Sequence, residues 1–118
     1  MSVENGRKEI YAMNFLIMLL LISGLVFFTG GSIGILRLPD FYTRLHPAGK
    51  LDTAGQFFTM SAIALFILQD FSLANFLTAT KIVLIVIFVY ITSPTATHAI
   101  VDAGMRAGLQ PWTKEGQL

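Results

Sequence analysis

The sequence predicts an all-α membrane protein: three transmembrane helices with a charged, amphipathic hinge between the first and second. Three observations lead there. The 118 residues are 54% hydrophobic and only 13% charged, with mean hydropathy +0.69, whereas a soluble domain carries about 25% charged residues. Small domains expose more surface per residue, not less, so a larger dry core is no explanation and a lipid solvent is. Long charge-free runs flank Gly34–Gly55, GILRLPDFYTRLHPAGKLDTAG, which gathers Arg37, Asp40, Arg44, His46, Lys50 and Asp52. The length, finally, suits a single domain.

The balance of charge excludes several classes. Net charge is +1, which points neither to nucleic acid nor to acidic partners. Cysteine is absent, which removes disulfides, thiolate metal sites and thiol nucleophiles. No cleavable leader is expected, because the first apolar run is long and no A-x-A pattern follows it.

In chain order, Met1–Glu9 is polar and is expected to be a frayed end or interfacial turn. Ile10–Leu36 has no charged side chain and would span about 40 Å as a helix. That exceeds a hydrocarbon core of about 30 Å, so tilt is expected. Tyr11 suits an interfacial anchor. Gly24, Gly30, Gly31 and Gly34 thin its second half, with Gly30 and Gly34 one turn apart as a small-xxx-small packing pair. GGSIG is not a phosphate loop, since no strand precedes it and no Gly-Lys-Ser/Thr follows.

The hinge, residues 37–52, comes next. Pro39 biases Leu38 away from helix, and Asp40 is placed to cap a short amphipathic helix over Phe41–His46. Pro47 and Gly49 are expected to end it, with Asp52 or Thr53 capping the second span at about 53–69. Ala54, Gly55, Thr59, Ala62 and Ala64 keep one side of that span slim. A brief connection follows from Asp70 to Thr80, much of it apolar and able to be helical already. The third span is expected at about 75–101, where IVLIVIFVYI looks like a strand, but a lone strand in lipid leaves its backbone unpaired. The tail, 102–118, is polar. Lys and Arg favour the hinge (Arg37, Arg44, Lys50) and tail (Arg106, Lys114) on the cytoplasmic side and the amino end outside.

No enzyme constellation is present. His46 and His98 lie on different segments without a third ligand, so no metal site or cofactor is expected, and no serine has a base and orienting acid in pattern. The informative stretch is the end of the third span. Pro94 removes a backbone donor and frees the Tyr90 carbonyl. Thr92, Ser93, Thr95 and Thr97 could serve that carbonyl with their hydroxyls, or could line a cation path with oxygens. His98 follows. Lys81 either snorkels to the surface or, if deeper, is an intramembrane ion. No carboxylate is expected at the middle of any span, so transport would have to be shared with partner subunits.

LRLPDFYTRLH followed by K-x-D-T-x-G resembles a small-subunit family of Mrp-type multisubunit Na⁺/H⁺ antiporters, the MnhG or PhaG family. Gly30, Gly31 and Gly34 match its glycine-rich first-helix end. Arg37, Pro39, Asp40, Tyr42, Arg44, Leu45 and His46 match its hinge. Asp52, Thr53 and Gly55 match the entry to its second helix, and Thr92, Pro94 and His98 its T-x-P-x-x-x-H. The likeness covers about Gly24–Gly108. Pro47 stands where a small residue is usual and Asp102 where a basic one is.

That resemblance implies a prokaryotic cell-membrane complex exchanging Na⁺ for H⁺, in which large complex I-like subunits pass protons. Small subunits such as this one would serve assembly and a Na⁺ route. The expected partners are those subunits, Na⁺, H⁺ and the bilayer, with no nucleic acid. Tyr90, Thr92, Ser93, Pro94, Thr97, His98 and Lys81 are the ion-path candidates. Arg37, Pro39, Asp40, Tyr42, Arg44, His46, Lys50 and Asp52 are the subunit-interface candidates, and Gly30, Gly34 and Gly55 the packing positions. The alternative is the same module in a membrane-bound hydrogenase or another redox-driven ion pump, or a purely structural subunit that no ion touches.

Overall fold

The computed structural model describes residues 1–113. Helix α1 runs Ser2–Arg37, about 54 Å. It begins earlier than expected: Met1–Glu9 is not a frayed end but helix from Ser2 onward. Glu4 sits in the first turn, where a negative charge complements the helix dipole, and Lys8 pairs with it at 3.3 Å one turn on. Exposed pairs of this kind add little. The helix stops at Leu38, which is extended (φ −76°, ψ 141°), as a residue before proline prefers to be.

Helix α2 covers Phe41–Lys50 and is capped by Asp40, which accepts from the Thr43 amide at 3.1 Å. The expected break at Pro47 and Gly49 does not occur. The chain passes through a π-helical turn, Leu51–Gly55, directly into α3, Gln56–Leu68, so that Phe41–Leu68 is one rod of 28 residues. Pro47 inside a helix forfeits a hydrogen bond, at about 3 kcal/mol. Here it is buried against bare glycines of α1. A Cβ on Gly34 would sit 2.8 Å from the Pro47 Cβ, and one on Gly31 would sit 3.1 Å from its carbonyl oxygen. This contact offsets the loss. Asp52 and Thr53 therefore cap nothing. They lie inside the rod, with the Thr53 hydroxyl donating to the Gly49 carbonyl at 2.7 Å.

Only a tight turn separates α3 from α4, Leu73–Arg106, so the connection is far shorter than Asp70–Thr80. Ser72 caps α4 by accepting from the Asn75 amide at 3.2 Å, and the Asn75 side chain donates to the Asp70 carbonyl at 2.6 Å. The helix continues through Pro94 and past Val101 to Arg106, where Gly108 (φ +80°) closes it. Leu109 N donates to Gly104 O at 3.1 Å and Gly108 N to Met105 O at 3.1 Å, a left-handed glycine cap. Lys114, one of the tail charges, lies outside the described residues.

The helices form a single row. α1 and α4 each pack on the central rod, and among the described residues they do not touch each other. The extents are 74 × 25 × 13 Å, and the 25 Å width matches two interaxial spacings of about 8–10 Å plus one Cα cylinder of about 4.6 Å, as three helices side by side require. A row has almost no inside: the buried hydrophobic residues are Ile17, Ala62 and Ala79. Among the described residues, three helices are long and apolar enough to span a membrane. Close approach replaces a core. Gly24, Gly31 and Gly55 are buried, and a Cβ on Gly24 would overlap the Thr59 hydroxyl while lying 3.2 Å from the Thr59 amide nitrogen. Within this chain a Cβ on Gly34 would meet Pro47, whereas one on Gly30 meets no other element within 4 Å. The small-residue seam inside this chain is thus Gly24, Gly31 and Gly34. Phe27 stacks on Phe58 at 5.5 Å, and Gln69 donates to Asn14 at 2.8 Å, tying α1 to the far end of the rod.

Candidate functional site

Hydroxyl groups in lipid must find partners locally, and most here do so within their own helix. Ser23 bonds Leu19 O, Thr29 bonds Leu25 O, Thr59 bonds Gly55 O, Thr78 bonds Ala74 O and Thr92 bonds Phe88 O at 2.7 Å. Ser93 departs from this rule. It is buried, and its hydroxyl crosses to the rod, where it donates to the Asp52 carboxylate at 3.4 Å. Asp52 sits within the π-helical turn, about 12 Å along the rod beyond Arg44 at ~1.5 Å per residue. Ser93 is close to the midpoint of the uncharged run Ile82–Val101. A π turn adds a residue to the helical circuit and recurs at functional sites; here it is the segment that carries the carboxylate facing α4.

The predicted ion-path residues divide by face. Ser93 is buried and Thr97 half-buried. Thr97, with Tyr42, His46, Lys50 and Val101, lines a groove of about 510 Å³ between α2 and α4. Thr92, Pro94, Thr95 and His98 are exposed. Pro94, Thr95 and His98 share an outward groove with Asp102. Tyr90 belongs elsewhere, in an apolar groove with Phe57, Val86 and Ile91. Lys81 is exposed toward the opposite end, about 12 Å into α4 from Leu73. The freed Tyr90 carbonyl does not collect hydroxyls: among the described residues, Thr92 turns to Phe88 and Ser93 to Asp52. The sequence groups Asp52 with the interface residues, and only the packing of the rod on α4 brings it to Ser93. A charged residue two positions before a slim helical run is the one signal in the sequence.

Several hinge residues are used within the chain itself. Arg44 Nε donates to Leu38 O at 2.9 Å, clamping the bend. Tyr42 donates to Leu109 O at 2.8 Å, and the Trp112 amide donates to Asp40 at 3.2 Å. The segment after α4 is thus strapped across the start of α2. Arg37 and Pro39 are exposed, while His46 and Lys50 also line a groove against Gly30, Gly31 and Pro47. The Thr43 hydroxyl, followed by the amides of Trp112 and Thr43, holds the Asp40 carboxyl below its ordinary range despite partial desolvation.

The Thr43 hydroxyl gives the larger part of that lowering without the strap; the Trp112 amide's part favours the strapped form above the carboxylate's unstrapped pKa. That contribution disappears as pH falls through the folded value. Trp112, the single tryptophan, is expected to shift its emission as the strap releases on acidification below the ordinary carboxylate range. Asp40→Ala is expected to show the released emission at neutral pH already. An emission indifferent to both changes would show that Asp40 does not hold the strap.

Comparisons with known proteins bear on the whole row of helices. The family described as PhaG_MnhG_YufB, Na⁺/H⁺ antiporter subunit, matches residues 20–105. The chain is 39% identical over 87 residues to the G-type Na⁺/H⁺ antiporter subunit of Alkalihalophilus pseudofirmus, covering 74% of this chain and 70% of that one. It is 32% identical over 84 residues to a UPF0091 protein of Pyrococcus horikoshii, covering 71% and 76%. Among solved structures, a chain of the Mrp complex from a Dietzia species superposes with TM-score 0.74 and 27% identity, covering 88% of each. A chain of an archaeal membrane-bound sulfane sulfur reductase superposes with TM-score 0.73 and 30% identity, covering 83% of this chain and 86% of that one.

Proposed function

The chain belongs to the MnhG/PhaG family of Na⁺/H⁺ antiporter subunits, and from that premise we propose that it transports nothing alone and completes a cation path only against companion subunits. The observation that carries this reading is the single-layer row. A plane of three helices 13 Å thick encloses no lumen, and its polar residues at depth open onto its faces. The apolar faces left uncovered, with Phe15, Phe57, Phe66 and Phe88 all exposed, are surface for lipid and neighbouring helices alike.

In this reading the chain sits in a prokaryotic cytoplasmic membrane. The Arg37–Arg44 bend and the strap face the cytoplasm, and the amino end faces outward. Arg37, Pro39, His46 and Lys50, whose side chains make no hydrogen bond or ion pair among the described residues, dock neighbours. The exposed Thr92–Pro94–Thr95–His98 face of α4 borders the Na⁺ route. Superposition on a sulfane sulfur reductase chain supports a second reading, the same scaffold in a redox-driven pump. Identification of the proteins that co-purify with the tagged chain in mild detergent separates the two: iron–sulfur companions favour the second.

Pro94→Ala tests the path. The helix is already continuous there, so the variant is expected to assemble normally. Na⁺-driven antiport in everted vesicles is expected to fall roughly fivefold, about 1 kcal/mol of barrier. Wild-type antiport in the assembled variant would remove this face from the route.

A further inference from the structure

We infer that Asp52 and Ser93 together are a binding site for a hard monovalent cation, approached along the groove between α2 and α4. The inference rests on the antiporter reading above, and it places the ligand on the rod-facing side of α4, away from the exposed Pro94–Thr95–His98 face. An uncompensated carboxylate within a span is costly. Asp52 has no ion-pair partner: the pairs among the described residues are Lys8–Glu4 and Arg106–Asp102. The titratable and charged groups on the elements packed against it are Tyr42, Arg44, His46 and Lys50 on α2 and Lys81, Tyr90, His98, Asp102 and Arg106 on α4. α1 contributes none between Tyr11 and Arg37, and α3 none at all.

What does face Asp52 is an oxygen. Ser93 is buried and spends its hydroxyl on the carboxylate, not on the carbonyl one turn back as its neighbour Thr92 does. The separation is 3.4 Å, longer than the 2.5–3.0 Å of an ordinary hydroxyl–oxygen bond. A calcium-sized ion holds its oxygens at about 2.3–2.6 Å, which places neighbouring ligands about this far apart. Sodium is close to calcium in size. Asp52 is itself exposed, so water or a companion helix can supply further ligands. The groove lined by Tyr42, His46, Lys50, Thr97 and Val101 lies on the same α2–α4 side, and its Thr97 is one helical turn from Ser93.

The test uses the complete antiporter in everted vesicles, with Na⁺ as the probe and co-purification of the companions as the control. Asp52→Asn is expected to assemble and to raise the Na⁺ concentration for half-maximal antiport at least tenfold. Ser93→Ala is expected to raise it a few-fold and Ser93→Thr, which keeps the hydroxyl, to restore it. An assembled Asp52→Asn complex with wild-type Na⁺ dependence overturns the site. If Asp52→Asn does not assemble, the Ser93→Ala complex decides, and an unchanged Na⁺ dependence there overturns it. Failure of the underlying reading looks different: the wild-type chain would recover no companions, or its deletion would leave antiport intact.

Discussion

Gly24→Val is expected to detach α1 from the central rod. A Cβ at this position would overlap the Thr59 hydroxyl and lie 3.3 Å from the Gly55 carbonyl oxygen. Swinging Thr59 clear sacrifices its hydroxyl's bond to Gly55 O at 2.8 Å, and the Thr59 amide nitrogen, 3.2 Å from the new Cβ, is backbone and does not move with the side chain. Overpacking of this kind costs about 1–3 kcal/mol, which is five- to a hundredfold in a packing equilibrium at about 1.4 kcal/mol per decade. Recovery of the tagged chain with its companions is the measurement, and a loss near tenfold is expected. Gly30→Val is the matched control. It adds the same atoms to the same helix where, among the described residues, no other element lies within 4 Å of the new Cβ, so the fold of the isolated chain should be unaffected. Equal thermal stability of the two purified variants would show that the glycine seam is not what joins α1 to the rod.

Gly104→Val is expected to open the other side of the row at the rim. Gly104 is buried, and a Cβ there would sit 3.0 Å from a Phe41 ring carbon and 3.2 Å from the Tyr42 oxygen. The same glycine carbonyl receives Leu109 N in the cap that turns the chain back, and Tyr42 holds the Leu109 carbonyl. A wedge at Gly104 therefore strains the α2–α4 contact and the strap together, again by about 1–3 kcal/mol. Trp112 emission should take its released value at neutral pH. If the strap stays closed, the Phe41–Tyr42 edge is not the surface that positions α4.

The two glycines illustrate how legible the chain was. Each stands in a stretch that composition alone marks as membrane helix. Which glycine faces which helix was not legible: Gly30 and Gly34 look equivalent one turn apart, yet the packing uses Gly34 and leaves Gly30 open. Helical periodicity fixes which residues share a face, but a three-helix row offers several faces, and the choice depends on what lies opposite. Pro47 shows the same limit in another form. Local rules end a helix there, and contact with bare α1 backbone outweighs them.

By itself the sequence determined the solvent, the number of spans, the bend at Leu38–Asp40 and the Asp40 cap. Each of these is a local matter of hydropathy, proline stereochemistry or a side chain reaching its own backbone. Tertiary structure alone decided that the hinge continues into the second span through a π turn, that Asp52 is thereby carried inward to Ser93, and that Asp40 and Tyr42 hold the chain's own tail. Those pairings join residues some 40 to 70 positions apart. No propensity encodes such distances, because they follow from which helix faces come together.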